Sequence, residues 1–193
     1  MRLKPRENSK LRRLSIIAAV WGCALVLTHT PALAEGGAKP MDTKFLARLF
    51  VQAEETTGIS RHLFAAIAAQ ESSFHPWSVN LAGRSYFGAS KEDALAKIGN
   101  CESYDLGLMQ INSFWLPKFG VTAEDALDPG MNVILGAMVL MDCIKRYGTF
   151  DGIACYHAGS PNRTRGKVYA TRVVNKWRIL NAENPGQKPE ASE

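Results

Sequence analysis

One stretch limits the possible folds more than any other. Asp128-Pro129 is followed by Val133, Ile134, Leu135, Ala137, Met138, Leu140, Met141 and Ile144, and then by Gly148. An aspartate side chain caps free helical N–H groups and proline suits the first helical position, so the start is sharp. Glycine is the usual stop. Apolar residues fall on nearly every face between these signals, which predicts a buried central helix with other helices packed around it. The flanking segments fit that role. Asp42 can cap a helix showing Phe45, Leu46, Leu49, Phe50 and Ala53, ending near Gly58. Ser60 can cap the next, with Leu63, Phe64, Ile67 and Ala68 running into Glu71, and Ser90 opens a short piece through Ala94, Leu95 and Ile98 to Gly99. A further helix runs from Thr149 to about His157. Pro161 and Gly166 then precede a last one with Val168, Val173, Val174, Trp177 and Leu180. Residues 77–87, punctuated by Gly and Asn, can hold a short β-hairpin. The expected class is mainly α, in one domain over residues 42–183.

The ends read differently. Arg2, Lys4, Arg6, Lys10, Arg12 and Arg13 precede an apolar stretch from Leu14 to Leu27, and Thr30-Pro31-Ala32-Leu33-Ala34 offers a small-x-small cleavage site. This is the pattern of an export leader, residues 1–34. The apolar stretch is shorter than the roughly 20 residues a spanning helix needs, so no stable membrane span is expected. Gly22-Cys23 raises a lipoprotein alternative, which Trp21 disfavours. Residues 35–41 read as a linker and 184–193 as a polar, disordered tail. Without the leader's six basic residues and one acid, the 23 Lys and Arg and 18 Asp and Glu fall to 17 of each. The +5 charge of the whole chain therefore belongs to the leader, and a nucleic-acid role based on it fails. Export to an oxidising compartment makes a disulfide plausible among Cys101, Cys143 and Cys155. Cys143 with Cys155 is favoured because they lie on consecutive helices, although sequence leaves the pairing open.

The most informative chemistry lies at Ile67-Ala68-Ala69-Gln70-Glu71-Ser72-Ser73-Phe74. Helical residues 64, 67, 68 and 71 share a face, so Glu71 continues an apolar stripe. Partial desolvation there favours the proton-holding carboxyl, as a general acid requires. Alone, the segment equally describes a helix-terminal glutamate turned to solvent. Two later blocks alter that balance: Tyr104-Asp105-Leu106-Gly107-Leu108-Met109-Gln110-Ile111-Asn112, and Cys155-Tyr156-His157-Ala158-Gly159 with Tyr169 beyond it. No Cys-x-x-Cys or His-Glu-x-x-His spacing is present, so a metal site among Cys101, Cys143, Cys155, His75 and His157 is disfavoured and no cofactor is expected.

With these three ordered blocks, from about Phe45 to about Val174, the chain resembles the lytic transglycosylases of the goose-type lysozyme superfamily. It looks closest to the small specialised enzymes attached to conjugation, type III and type IV secretion, and pilus assembly. The resemblance implies a lysozyme-like helical domain, with the hairpin near an active-site groove, acting on peptidoglycan glycan strands as an exported, periplasmic monomer. It makes Glu71 the single catalytic acid and base, with Ser72 fixing the helix end and the carboxyl. Gly107, Leu108, Met109 and Gln110 would wall the groove, Gln110 bonding an N-acetyl sugar. Tyr156 would orient the carboxyl or the substrate, with Tyr169 a second candidate. Core packing is the plainer reading of Met109 and Tyr169, and local hydrogen bonding that of Ser72. Three departures stand out. His157 replaces an Asn, Asn80 replaces a Ser nine residues after Glu71, and residues 81–103 exceed the minimal pattern.

The implied reaction needs one carboxyl, where most glycosidases need two. Asp105 and Glu102 are the acids nearest the Gly-Leu-Met-Gln block, and Asp105 reads as a turn or capping residue. Glu71 would cleave the bond between N-acetylmuramic acid and N-acetylglucosamine without water, leaving 1,6-anhydromuramic ends. The alternatives are a hydrolytic lysozyme, with water placed by Asp105, and a non-catalytic wall-binding assembly component. Arg163, Arg165, Lys167, Arg172, Lys176 and Arg178 form a run without acids. It is either a solvated helix face or a surface for anionic peptide stems or secretion components.

Overall fold

The structure, a computed structural model, describes residues 41–183. The expected leader, most of the linker and the tail lie outside these residues. Its elements are α1 (Thr43–Thr57), α2 (Arg61–Glu71), β1 (Ser78–Leu81), β2 (Arg84–Phe87), α3 (Lys91–Ile98), β3 (Tyr104–Leu106) and β4 (Ile111–Asn112). A 3-10 turn (Ser113–Trp115) follows, then α4 (Leu116–Phe119), α5 (Ala123–Ala126), α6 (Pro129–Ala158) and α7 (Thr164–Glu183). The local start signals act as expected in three helices. Asp42 accepts from Lys44 N at 3.0 Å, Ser90 from Asp93 N at 3.2 Å, and Asp128 from Met131 N at 2.9 Å. Ser60 occupies the N-cap position of α2, but its side chain makes no capping bond.

The central helix is α6, and Gly148 breaks it with φ 75° and ψ 175°. Its first half buries Val133, Leu135, Ala137, Val139 and Leu140. It is not enclosed all round, because Ile134 and Met138, one turn apart, are 45% and 43% exposed. Phe45 and Val168, read from the sequence as core-facing, are also exposed, while Leu46, Phe50 and Val173 are buried. The second half of α6 carries Ile153, Ala154 and Cys155 into the core, and α7 packs against α6 and α2. Cys143 and Cys155 are joined by a disulfide across the break, Cα–Cα 5.9 Å, and Cys101 is free and exposed.

The hairpin over residues 77–87 is β1–β2, pairing Ser78 with Phe87 and Leu81 with Arg84. Ala82 and Gly83 both have positive φ, the turn that matches strand twist in a two-residue loop. Asn80 serves that turn, accepting from Gly83 N at 2.9 Å. The sheet is larger than the sequence suggests. β3 joins β1 and β4 joins β3, all antiparallel, in the order β2-β1-β3-β4. Residues 81–103 supply β2 and α3, with Ala94 and Ile98 buried, so this longer stretch is a folded extension of the sheet.

One polar residue joins the sheet to the helices. Asn132, fully buried in the first turn of α6, donates through Nδ2 to Leu106 O (2.9 Å) and Ala126 O (2.6 Å). Its Oδ1 accepts from Met109 N at 2.7 Å. Gly107 has φ 75°, and a Cβ there would collide with the Asn132 amide, so this close approach requires glycine. Replacing Asn132 with Leu removes the side-chain partner of three buried backbone groups, and a buried group left unpaired costs about 1–3 kcal/mol. The variant is expected to lose about 3 kcal/mol or more, a fall in Tm of roughly 6–12 °C by calorimetry. A fall below about 2 °C would mean that other interactions hold the turn.

Candidate active site

Glu71 is the last residue of α2. Phe64, Ile67 and Ala68 on its face are fully buried, and the Glu71 side chain itself is 13% exposed. The chain leaves α2 through Ser73 and Phe74, both in the left-handed region at φ 53° and 64°. Such a conformation is costly for Phe, and its ring packs against Phe50 (centroids 6.4 Å). Ser72 is buried, and its Oγ donates to Leu108 O at 2.9 Å and Ala68 O at 3.2 Å. It ties the end of α2 to the Gly107–Gln110 turn and has no open face for a ligand.

That turn lies beneath the site. Leu108 and Met109 are fully buried, and Met109 fits against Gly136 of α6, where a Cβ would come within 2.8 Å. Their side chains are core, because the backbone bonds from Asn132 roll the turn inward; they do not wall a groove. Gln110 spends both amide hydrogens on carbonyls, Gly107 O at 2.9 Å and Ser78 O at 3.2 Å. Only its side-chain carbonyl oxygen is left to meet a ligand. The Tyr156 hydroxyl donates to Met109 O at 2.6 Å. It therefore pins the turn instead of bonding Glu71, and burial holds its phenol far above the ordinary range.

The groups facing Glu71 come from α6 and α7. His157 Nδ1 lies 3.9 Å from Glu71 Oε1, and its ring stacks on Tyr169 with centroids 4.2 Å apart and planes 4° from parallel. The Tyr169 hydroxyl is buried and faces the Glu71 carboxylate, its hydrogen-bonding neighbour, in a contact that falls short of standard geometry. Burial, then the charge of Glu71, pushes its phenol well above the usual value. A cleft of about 480 Å³ opens here, lined by Gln70, Glu71, His157, Thr164, Arg165, Val168, Tyr169 and Arg172.

Asp105 corrects the sequence reading. It is a β3 residue opposite Asn112, whose Nδ2 donates to Asp105 Oδ1 at 2.8 Å, and it caps nothing. Burial raises its pKa, the Asn112 bond opposes this, and the negative charge of Glu71 adds to the rise. A second carboxyl therefore stands within electrostatic reach of Glu71 and of His157. Sequence reasoning also missed Asn132. Its signal was available, a lone amide in an otherwise apolar turn, Met131-Asn132-Val133.

Among the described residues there is no cluster of His, Cys, Asp and Glu suited to a metal, and no helix long and apolar enough to cross a membrane. What the site offers is proton transfer from an enclosed carboxyl to a group in the adjoining cleft, with a second carboxyl, an imidazole and a phenol beside it.

Comparison with known proteins agrees with this geometry. Invasion protein IagB of Salmonella typhimurium is 35% identical over 149 residues, covering 74% of this chain and 82% of that protein. Type IV secretion system protein virB1 of Brucella abortus is 30% identical over 118 residues, covering 53% of this chain and 50% of that protein. The X-ray structure of an inactive mutant of the lytic transglycosylase Slt from Pseudomonas aeruginosa superposes with a TM-score of 0.55. It covers 79% of this chain and 26% of that one at 17% identity, a likeness of fold that bears out the lysozyme-like helical domain. The transglycosylase SLT domain matches residues 48–178, from α1 to within α7, and the chain belongs to that family.

Proposed function

We propose that the chain is a peptidoglycan lytic transglycosylase, exported with cleavage after Ala34, that opens the periplasmic wall locally for a secretion, conjugation or pilus machine. One observation carries the reading. Glu71 is a nearly enclosed carboxyl at the mouth of a cleft, with His157 and the buried Tyr169 hydroxyl beside it. Family membership supports the reaction class, and likeness to an invasion protein and to a type IV secretion system protein supports the setting.

In this mechanism the Glu71 proton passes to the oxygen linking N-acetylmuramic acid to N-acetylglucosamine. The bond from muramic C1 to that oxygen breaks, and the substrate's own N-acetyl oxygen supports C1. The anionic Glu71 then takes the proton of the muramic 6-hydroxyl as that oxygen closes on C1. Glu71 ends as it began, and no water is consumed. His157 lies 3.9 Å from the carboxyl throughout these steps. Tyr169 steadies the carboxylate through its buried hydroxyl. Ser72 and Tyr156 act as positioning residues through the carbonyls they hold.

Asp105 favours a second reading. A carboxyl near Glu71 could orient water at C1, turning the same site into a hydrolase with reducing muramic ends. Mass spectrometry of strands released from purified sacculi separates the two, since anhydro ends are one water lighter. We expect anhydro ends, and reducing ends alone would establish the hydrolase. Glu71→Gln is expected to lower turnover by roughly 10²–10⁴-fold with Tm little changed; unimpaired release would remove Glu71 from the chemistry. For Asp105→Asn the expected stability change has a definite sign. The raised pKa of Asp105 means that folding disfavours its charge, so its ionised form weakens the fold at neutral pH. The Asn variant should melt higher at pH 7, and the advantage should shrink as pH falls through the elevated range where native Asp105 becomes protonated. A difference in Tm that stays constant with pH would contradict this.

A further inference from the structure

We propose that Arg165 and Arg172 form a carboxylate-binding edge beside Glu71, so that the enzyme selects glycan strands still bearing peptide stems over stripped ones. The inference rests on the transglycosylase reading and specifies the substrate that this site takes. Of the six cations between Arg163 and Arg178, only these two line the cleft. Among the described residues, neither has a carboxylate within ion-pairing distance. Both residues are exposed, and the first turn of α7 contains no acid to offset Arg165 or the positive end of the helix.

The spacing points to a peptide. Residues seven apart on a helix lie on the same face, about 10 Å apart along the axis. An extended peptide spans about 3.3–3.6 Å per residue, so three residues cover that distance. Wall stems carry free carboxylates at such intervals, one on the γ-linked glutamate and others at and near the C-terminal end. The planar guanidinium forks suit them in two-point hydrogen bonding. Between the arginines the exposed Val168 side chain offers an apolar contact for the stem's methyl groups. The same cleft reaches Glu71, so a stem held here belongs to a sugar close to the reacting bond.

The test compares soluble intact strands with strands whose stems have been removed by an amidase, reading kcat/KM for each. In Arg165→Gln/Arg172→Gln the ratio of intact to stripped should fall tenfold or more from the wild-type value. Lys167→Gln/Arg178→Gln removes the same charge from α7 outside the cleft and should leave the ratio at wild type. A ratio unchanged in the cleft pair, a larger loss on stripped strands, or an equal fall in the control pair would overturn the proposal. Stripped strands bear a carboxylate on the lactyl group itself, so the second outcome would assign the arginines to that group. Co-sedimentation with both strand types in a Glu71→Gln background reads docking without turnover. Loss of catalysis and loss of stem selection are thereby distinguished.

Discussion

Four backbone atoms of one buried turn carry the architecture of the site. Asn132, at the start of α6, holds Leu106 O and Met109 N. Ser72, after the end of α2, holds Leu108 O, and Tyr156, near the end of α6, holds Met109 O. Three side chains from three places in the chain thus converge on residues 106–109. Buried backbone groups must be paired, so each of these bonds both satisfies a turn atom and fixes the element that reaches it. Glu71 precedes Ser72 and His157 follows Tyr156 in the chain. The distance between the carboxyl and the imidazole is therefore set by the neighbours that hold this turn.

This explains why the motif residues divide as they do. A pattern such as Gly-Leu-Met-Gln invites the reading that it meets the substrate. Here Leu108 and Met109 are core, Gly107 is the point of close approach, and Gln110 locks the turn with its own amide. Glu71 is the motif residue that opens on the cleft, together with His157 and Tyr169. The unusual His157 is part of a stacked pair with Tyr169, with its Nδ1 3.9 Å from the Glu71 carboxyl.

What could be read in advance was what is local. The caps at Asp42, Ser90 and Asp128, the stop at Gly148 and the hairpin near residue 80 each depend on residues within a few positions. The stripe that buries Glu71 has a 3.6-residue period and is equally legible. β3 and β4 were not, since three and two residues are too short for alternation to show. Asp105 was misread because its environment is made by Glu71 and Asn112, which the chain brings together only in three dimensions. The exposure of Ile134 and Met138 escaped notice for a related reason. Apolar character on all faces says that a helix prefers burial, while the number of neighbours decides which face receives it.

The covalent link between Cys143 and Cys155 takes on a particular meaning from where it lies. Closing a loop of this length removes about 3 kcal/mol of freedom from the unfolded chain in the entropic account. The staple straddles the one place where α6 loses its helical geometry, and its second cysteine adjoins Tyr156. Rotation at that hinge would carry the phenol away from its carbonyl and the imidazole away from the acid. With the disulfide formed, the turn carrying Tyr156 and His157 is tied covalently to the first half of α6, so rotation at the Gly148 break is restricted from both sides.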